Sequence, residues 1–349
     1  MILFRILTFT VGFALVIGTL FSAIRTFVLT RSAPDRLTGA VYLVLRKLFM
    51  LFPLRERTYH RRDHIMAYYA PVALLSLLPV WLTLVLFGYM TMYWALGVDS
   101  WYHAFRISSS SLLTLGYATA DNFPHTFLEF TEATIGLMLV ALLIAYLPSM
   151  YNAFQRREAA VKLLEVRASS PPTAVEMLKR FNRIHGWERL SQQWETWEKW
   201  FAEIEESHTS LAALVFFRSP KPDHSWLTAT GAVLDSASLT LSAIDIPNDP
   251  QAALCIRAGY LALMRIADFF DIPFNPSPTY PTEPISVTRD QFEAALDELQ
   301  DNDIPLKPDR DQAWRDFAGW RVNYDRVLLA LADLTMAPPS PWTGERTYS

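Results

Sequence analysis

Three long apolar stretches without a charged residue constrain this chain more than any other feature of its sequence. They run from Leu7 to Ile24, from Ile65 to Val98 and from Ala133 to Phe154. A helix that crosses a bilayer needs about 20 apolar residues, with a range of about 17–25. The first and third stretches have that length, whereas the second is longer and contains Pro71 and Pro79, which bend a helix or mark where it begins. The sequence therefore predicts an all-α integral membrane protein with three spans.

The composition predicts that the chain has one part in lipid and one part in water. Of the 349 residues, 51% are hydrophobic and 19% are charged, and the mean hydropathy is +0.15. A soluble domain carries about 25% charged residues. The apolar excess lies in the first half, so we expect a membrane anchor over 1–30, a basic linker over 31–64, a membrane module over 65–155 and a helical domain over 156–349. The net charge of -4 gives no indication of nucleic-acid binding. The single cysteine, Cys255, excludes an internal disulfide framework and a cysteine-rich metal site, and we interpret it as a small core residue.

The charges of the connections orient the spans. Between Arg25 and Asp63 there are nine basic and three acidic residues, whereas Arg106 is the only Lys or Arg between Asp99 and Glu132. Basic residues are enriched in cytoplasmic loops. We therefore expect a multi-pass protein of the cell membrane with its N-terminus outside and its C-terminal domain in the cytoplasm.

Two segments of this membrane half have alternative interpretations. The first apolar stretch is either a cleaved signal peptide or an uncleaved anchor. Its basic end is a single arginine, and no convincing cleavage motif precedes Arg25, so the anchor is favoured. The segment Gly39 to Leu54 mixes basic residues with leucines and aromatics. It either lies at the lipid interface or packs on the cytoplasmic domain.

The connection between the second and third stretches is apolar where an ordinary loop would be polar. Trp101 to Ile107 has the aromatic and aliphatic spacing of a helix too short to span. Ser108 to Asn122 follows, with many small and hydroxyl residues and one glycine. Non-helical backbone at membrane depth is tolerated only where protein or a water-filled path surrounds it. The pattern predicts a re-entrant element, a short helix followed by an extended segment between two spans.

The residues Thr114-Leu115-Gly116-Tyr117-Ala118 in this connection resemble the T-V-G-Y-G selectivity filter of the potassium channel family. The order of span, short helix, filter and span is also similar to the two-helix pore subunit of that family. The resemblance implies that backbone carbonyls of these five residues replace the hydration shell of a monovalent cation, with potassium as the expected ion. It further implies a homotetramer, because one such segment cannot enclose a path alone. No cofactor is implied.

The chain departs from the family pattern at three positions. Ala118 replaces the second glycine, where a left-handed backbone would cost about 1 kcal/mol or more. Thr119 replaces the acidic residue that follows, and Arg106 lies in the predicted pore helix, where it either faces outward or pairs with Asp99 or Glu129. These departures bear on selectivity for potassium.

Acidic residues and helix-bending residues flank the predicted filter on its C-terminal side. Three carboxylates lie near the expected outer mouth: Asp121, Glu129 and Glu132. For Glu129 and Glu132, the alternatives are that they concentrate cations there or that they are interfacial charges without a role. Gly136 and Pro148 offer the third span a bend or a close contact with a neighbour.

The C-terminal half predicts helices joined by proline-rich turns. We expect 158–166 to continue the third span, and further helices at 173–185, 188–207, 224–243, 250–270, 288–300 and 309–334. Thr288 and Gln291 have capping-box spacing. The helix 188–207 carries an apolar stripe that forms either the core or a subunit interface: Trp187, Leu190, Trp194, Trp197, Phe201 and Ile204.

No known regulatory or catalytic module is recognisable in this half. It lacks the glycine pattern of a nucleotide-binding Rossmann domain and the strands of a cyclic-nucleotide-binding roll. His208, Asp223 and His224 lack metal-site spacing, so capping or surface roles are favoured. The segment 216–220 is either a structured turn or an anion cradle. The leading hypothesis is a tetrameric cation channel with a helical cytoplasmic regulatory domain, which is not an enzyme. Its rivals are a non-conducting scaffold on a channel-like fold and a membrane-anchored enzyme.

Overall fold

The computed structural model describes residues 1–29, 35–51, 59–119 and 122–342. Within these ranges the chain is helical and contains no strand, although one isolated antiparallel bridge joins Ile244 to Leu306. The all-α prediction is therefore confirmed. The described residues form two compact units. The first contains those before residue 52 together with 68–152, and the second contains 59–67 and 153–342.

The first half of the chain contains six helices among its described residues. They are α1 (Ile2–Phe27), α2 (Arg36–Leu51), α3 (Tyr59–Ala67), α4 (Tyr69–Ala95), α5 (Trp101–Leu112) and α6 (Phe123–Ala168). Three helical stretches are long and apolar enough to cross a membrane: Ile2–Phe27, Arg61–Ala95 and Phe123–Ala168. Pro71 lies in the first turn of α4, where its missing N–H is not needed, and Pro79 lies inside that helix. The predicted third span is the middle of α6, which begins before Ala133 and, as predicted for 158–166, continues beyond Phe154.

Helices α1 and α4 pass each other at two glycines. A Cβ atom added to Gly12 would lie 2.1 Å from the Thr91 hydroxyl and 2.5 Å from the Gly88 carbonyl oxygen. A Cβ atom on Gly88 would lie 2.6 Å from a methyl group of Val16 and 2.9 Å from the Gly12 carbonyl oxygen. Small residues allow two membrane helices to approach this closely, and packing then stabilises the pair.

The second unit contains seven further helices among its described residues. They are α7 (Ala174–Arg183), α8 (Leu190–Ser210), α9 (Trp226–Ser242), α10 (Pro250–Phe269), α11 (Arg289–Gln300), α12 (Arg310–Arg321) and α13 (Asp325–Thr335). The capping box of α11 is present as predicted: Thr288 Oγ1 accepts from the Gln291 N–H at 3.2 Å, and Gln291 Oε1 accepts from the Thr288 N–H at 2.9 Å. The Thr173 hydroxyl caps α7 in the same way, accepting from the Glu176 N–H. Local side-chain chemistry therefore fixes where these helices begin.

The apolar stripe on α8 forms part of the core of the second unit. Trp194, Trp197, Phe201 and Ile204 are all buried, and they pack in one cluster with side chains of α9 and α10. Cys255 is fully buried in the same cluster, as predicted for a small core residue. Between the two alternatives for the stripe, the structure favours the core.

The prediction of a single helix over 309–334 is wrong, because the chain forms α12 and α13 with a turn between them. Arg321, the last residue of α12, is completely buried and forms ion pairs with Asp235 of α9 and Asp325 of α13. Its Nε lies 2.7 Å from the Asp325 carboxylate. The Asn323 amide in the turn donates to the Gly319 and Trp320 carbonyls, which satisfies the end of α12.

Substituting Gly12 tests the crossing of α1 and α4. We expect Gly12→Ala to lower the free energy of unfolding by about 1–3 kcal/mol, because the new methyl group collides with backbone and overpacks the contact. Gly18→Ala on the same helix is the matched control, because a Cβ atom there has no neighbour within 4 Å. Thermal unfolding in detergent measures both variants. Equal midpoints for the two would contradict the close crossing.

Removing Arg321 tests the buried ion pairs of the second unit. We expect Arg321→Ala to cost about 3–5 kcal/mol, because it leaves two buried carboxylates without their cation. Arg315→Ala on the same helix removes an exposed arginine that bonds to Gln312 one turn earlier, so its effect should be within about 0.5 kcal/mol. Chemical denaturation followed by tryptophan fluorescence measures the difference.

Candidate functional site

Helix α5 and the segment that follows it form the candidate site. The Ser100 hydroxyl caps the helix by accepting from the His103 N–H at 3.2 Å. Ala104, Ser108 and Leu112 are buried and stand four residues apart, so they share the face of α5 that packs inside the unit. The helix extends through the serine run to Leu112.

The helix ends in a Schellman motif with a threonine at the left-handed position. The Leu115 N–H donates to the Ser110 carbonyl at 2.7 Å, and the Thr114 N–H donates to the Ser111 carbonyl at 3.0 Å. Thr114 has a φ of +54°. Glycine is the usual residue at this position, and a β-branched residue with positive φ is a genuine outlier. The surrounding contacts therefore hold Thr114 in a conformation that costs about 1–2 kcal/mol.

The sign of φ alternates along the segment that leaves α5. It is negative at Leu113 (-94°), positive at Thr114, and positive again at Gly116 (+71°), while Leu115 and Tyr117 do not have positive φ. Gly116 supplies the second left-handed position without steric cost. Left-handed strain was expected at Ala118 from the family pattern, but Ala118 does not have positive φ. The strained residue is Thr114 instead.

Two serine hydroxyl groups of α5 form hydrogen bonds with the segment that follows the helix. Ser110 Oγ accepts from the Ala118 N–H at 3.0 Å. Ser109 donates to the Phe105 carbonyl, so the Tyr117 hydroxyl donates to Ser109 Oγ at 2.6 Å. These serines were not identified as site residues from the sequence. The signal that could have identified them is the run of four hydroxyl groups in an otherwise apolar connection.

The Arg106 guanidinium lies over two aromatic rings of this site. It is 6.0 Å from the ring centre of Tyr102 and 5.9 Å from that of Tyr117. Cation–π contacts of this kind stabilise the cation on the ring face. Arg106 therefore contacts the ring of Tyr117, rather than either acidic partner considered for it.

The apolar side chains of the segment have little cover within one chain. Leu113, Leu115 and Tyr117 are each more than half exposed. A Cβ atom added to Gly116 would meet nothing within 4 Å. The backbone of the segment is held on one side by α5 and is open on the other.

The acidic residues expected near the outer mouth lie in different environments. Glu132 is completely buried, and its carboxylate contacts the Ser108 hydroxyl and the Tyr93 hydroxyl, the latter at 3.2 Å. This burial differs from both alternatives for Glu132, a mouth charge and an interfacial charge. Glu129 is half-buried one turn earlier on α6. Asp121 lies outside the described residues.

Close packing, rather than bending, is the observed role of Gly136. A Cβ atom on Gly136 would lie only 2.2 Å from the Leu112 carbonyl oxygen, so α6 passes directly against the end of α5. Any larger residue would separate the two helices. Pro148 lies inside α6 further along.

A second polar cluster lies within the second unit, at the C-terminal part of α6. Arg157 is buried, and its guanidinium donates to the carbonyls of Leu214 at 2.8 Å and Phe217 at 2.7 Å and pairs with Glu158. It also lies 3.4 Å from His208 Nε2. Burial and the neighbouring guanidinium lower the pKa of His208 well below its usual value. His208 is therefore a neutral core residue.

The remaining polar residues singled out in this half have structural contacts. Arg218, in the segment 216–220, pairs with Asp63 at 2.6 Å and donates to the Thr335 carbonyl at 2.8 Å, which favours the structured turn over an anion cradle. His224 lies 3.5 Å from Glu165. In the described part of the chain no group of three His, Cys, Asp or Glu residues could hold a metal ion. No family model, curated protein or solved structure matches this chain, so no relative supplies a function for it.

Acid should destabilise the second unit through His208. Since the pKa of His208 is lower in the folded state, the unfolded state binds more protons below about pH 6.5, and stability falls by at most about 1.4 kcal/mol per pH unit. We expect the fall in thermal midpoint between pH 7.5 and 5.5 to be smaller in His208→Gln. His185→Gln, at an exposed position, should retain the wild-type slope. Identical slopes for all three proteins would contradict this role of His208.

Proposed function

We propose that this chain is the subunit of a homotetrameric cation channel with potassium as the expected ion. The observation that carries the proposal is the backbone from Leu113 to Tyr117, where φ changes sign at every residue. This segment follows a short helix that packs against α4 and α6, two helices of membrane length.

The alternation matters because of what it does to peptide groups. Alternating right- and left-handed residues gather successive N–H groups on one side of the backbone, which leaves the carbonyl groups on the other side. A row of carbonyl oxygens is the arrangement that replaces the hydration shell of a cation in a filter. In the proposed channel, the carbonyls of Thr114 to Ala118 coordinate the ion. Tyr117, held by Ser109 and Arg106, maintains the position of the row.

The proposed homotetramer is supported by the uncovered side of the segment from Leu113 to Ala118. One chain presents a single row of carbonyls, and a closed path needs several copies around an axis. The exposed side chains of Leu115 and Tyr117 are then covered by neighbouring copies. Membrane lipid surrounds the ring. The proposal places the N-terminus outside the cell and residues 156–349 in the cytoplasm, following the distribution of basic residues.

The proposed regulatory role of the C-terminal domain rests on α6. This helix belongs to the first unit up to residue 152 and to the second from residue 153. Its C-terminal residues Val161, Leu164 and Ala168 are part of the core of the second unit. In the proposed channel, the second unit regulates conduction through this shared helix.

Gly116→Ala tests the proposed filter. A Cβ atom at a φ of +71° strains the backbone, so we expect cation flux into liposomes to fall at least about tenfold, the effect of about 1.4 kcal/mol of strain. Gly97→Ala is the matched control. Gly97 also has positive φ (+108°), but it lies at the end of α4 outside the segment, so flux should persist.

Oligomeric state and flux together separate the channel from its rivals. A fourfold assembly in detergent with cation flux supports the channel. Intact tetramers without flux would favour the non-conducting scaffold, and any other oligomeric state would make the filter assignment untenable.

A further inference from the structure

A buried carboxylate lies where α6 passes α5. Glu132 is completely buried, and among the residues that the structure describes its oxygens contact only the hydroxyl groups of Ser108 and Tyr93. An ionisable group inside a membrane-length helix is costly and points to a function. The location of its partners indicates which function this is.

Glu132 and its partners form a two-point contact between helices. On α6, Glu132 and Gly136 stand four residues apart, and on α5 so do Ser108 and Leu112. Residues with this spacing share one helix face. Glu132 contacts the Ser108 hydroxyl, and Gly136 lies against the Leu112 carbonyl. One turn of α6 therefore packs against one turn of α5, with one contact at each end of the turn.

The same turn of α5 holds the segment that follows it. Between the two contact points lie Ser109 and Ser110, which bind Tyr117 and Ala118. Leu112 is the last residue of the helix. If this turn of α5 shifts relative to α6, the hydrogen bonds to Tyr117 and Ala118 shift with it.

A third helix is tied to the same carboxylate. Tyr93 of α4 donates to Glu132 Oε2, and Ser108 also lies 3.2 Å from the Leu86 carbonyl of α4. The hydroxyl of Ser108 has one proton and two acceptors within reach. Ser108 can donate its proton to the Leu86 carbonyl only if the group at position 132 is neutral, as in a carboxylic acid or an amide, and then donates to Ser108 while it accepts from Tyr93.

We propose that Glu132 is a positioning residue that fixes α5, and with it the segment from Leu113 to Ala118, against α6 and α4. This inference rests on the proposed channel function. Glu132 sets the geometry of the filter through its contact with α5, and it does not contact the ion. It gives Glu132 a role different from attracting cations at the outer mouth.

The experiment uses three substitutions in the full-length protein and two measurements. Glu132→Ala removes both contacts. Glu132→Gln retains them, because the amide nitrogen can donate to Ser108 while the amide oxygen accepts from Tyr93. Tyr93→Phe removes the contact of Tyr93 with Glu132, together with its hydrogen bond to Ser111 of α5, without leaving a large cavity. The measurements are the potassium-to-sodium permeability ratio in liposomes and the hydrogen exchange of the Leu115 and Ala118 amides in detergent.

We expect Glu132→Ala to lower the permeability ratio by about tenfold and to speed exchange at both amides by a similar factor, because the hydrogen bonds that fix α5 are lost. Glu132→Gln should stay within about twofold of the wild type, and Tyr93→Phe should lie between. Thr134→Ala is the matched control on α6, because Thr134 is exposed and its hydroxyl bonds only to its own helix.

Each outcome decides the proposal. Unchanged exchange and permeability in Glu132→Ala would overturn it, and so would a Gln variant that behaves like the Ala variant. If Glu132→Ala does not assemble, Tyr93→Phe decides, since it too must speed exchange at Leu115 and Ala118. If liposomes that contain the wild-type protein show no cation flux, the proposed channel function is wrong. The hydrogen-exchange measurement still tests whether Glu132 positions the segment.

Discussion

Backbone polar groups that are freed where a helix ends need hydrogen-bond partners, and the first unit supplies them from within the protein at the end of α5. The chain leaves α5 after Leu112, and the freed groups are satisfied by a Schellman motif and by serine hydroxyls. Ser110 serves both purposes, since its carbonyl accepts from Leu115 and its hydroxyl accepts from Ala118. The strained φ of Thr114 persists because these bonds surround it on both sides.

Helix α6 carries a second constraint, because the same helix contributes to both compact units. Its first turns contact α5 through Glu132 and Gly136, and its last turns supply core residues and the buried Arg157 to the second unit. Arg157 is stable there because two backbone carbonyls and Glu158 satisfy its guanidinium.

Sequence patterns predicted local structure well and long-range polar contacts poorly. The capping box of Thr288 and Gln291 and the tryptophan stripe of α8 were found because both depend on spacing within one helix. The break between α12 and α13 was missed. Arg321 looks like an ordinary surface residue until Asp235, 86 positions earlier, is known to face it. The burial of Glu132 was missed for the same reason, since Ser108 and Tyr93 come from other helices.

The sequence by itself determined that the chain has three membrane-length apolar helices and a helical C-terminal half, and it indicated Thr114 to Ala118 as the segment to inspect. These features follow from hydropathy, periodicity and short motifs, which are local properties of the chain. Only the tertiary structure decided that Thr114 and Gly116, rather than Ala118, adopt left-handed conformations. It also decided that Ser109, Ser110 and Ser111 of α5 hold the segment and that Glu132 contacts the neighbouring Ser108. These outcomes depend on which helices face one another, and a single residue's neighbours in space cannot be read from its neighbours in sequence.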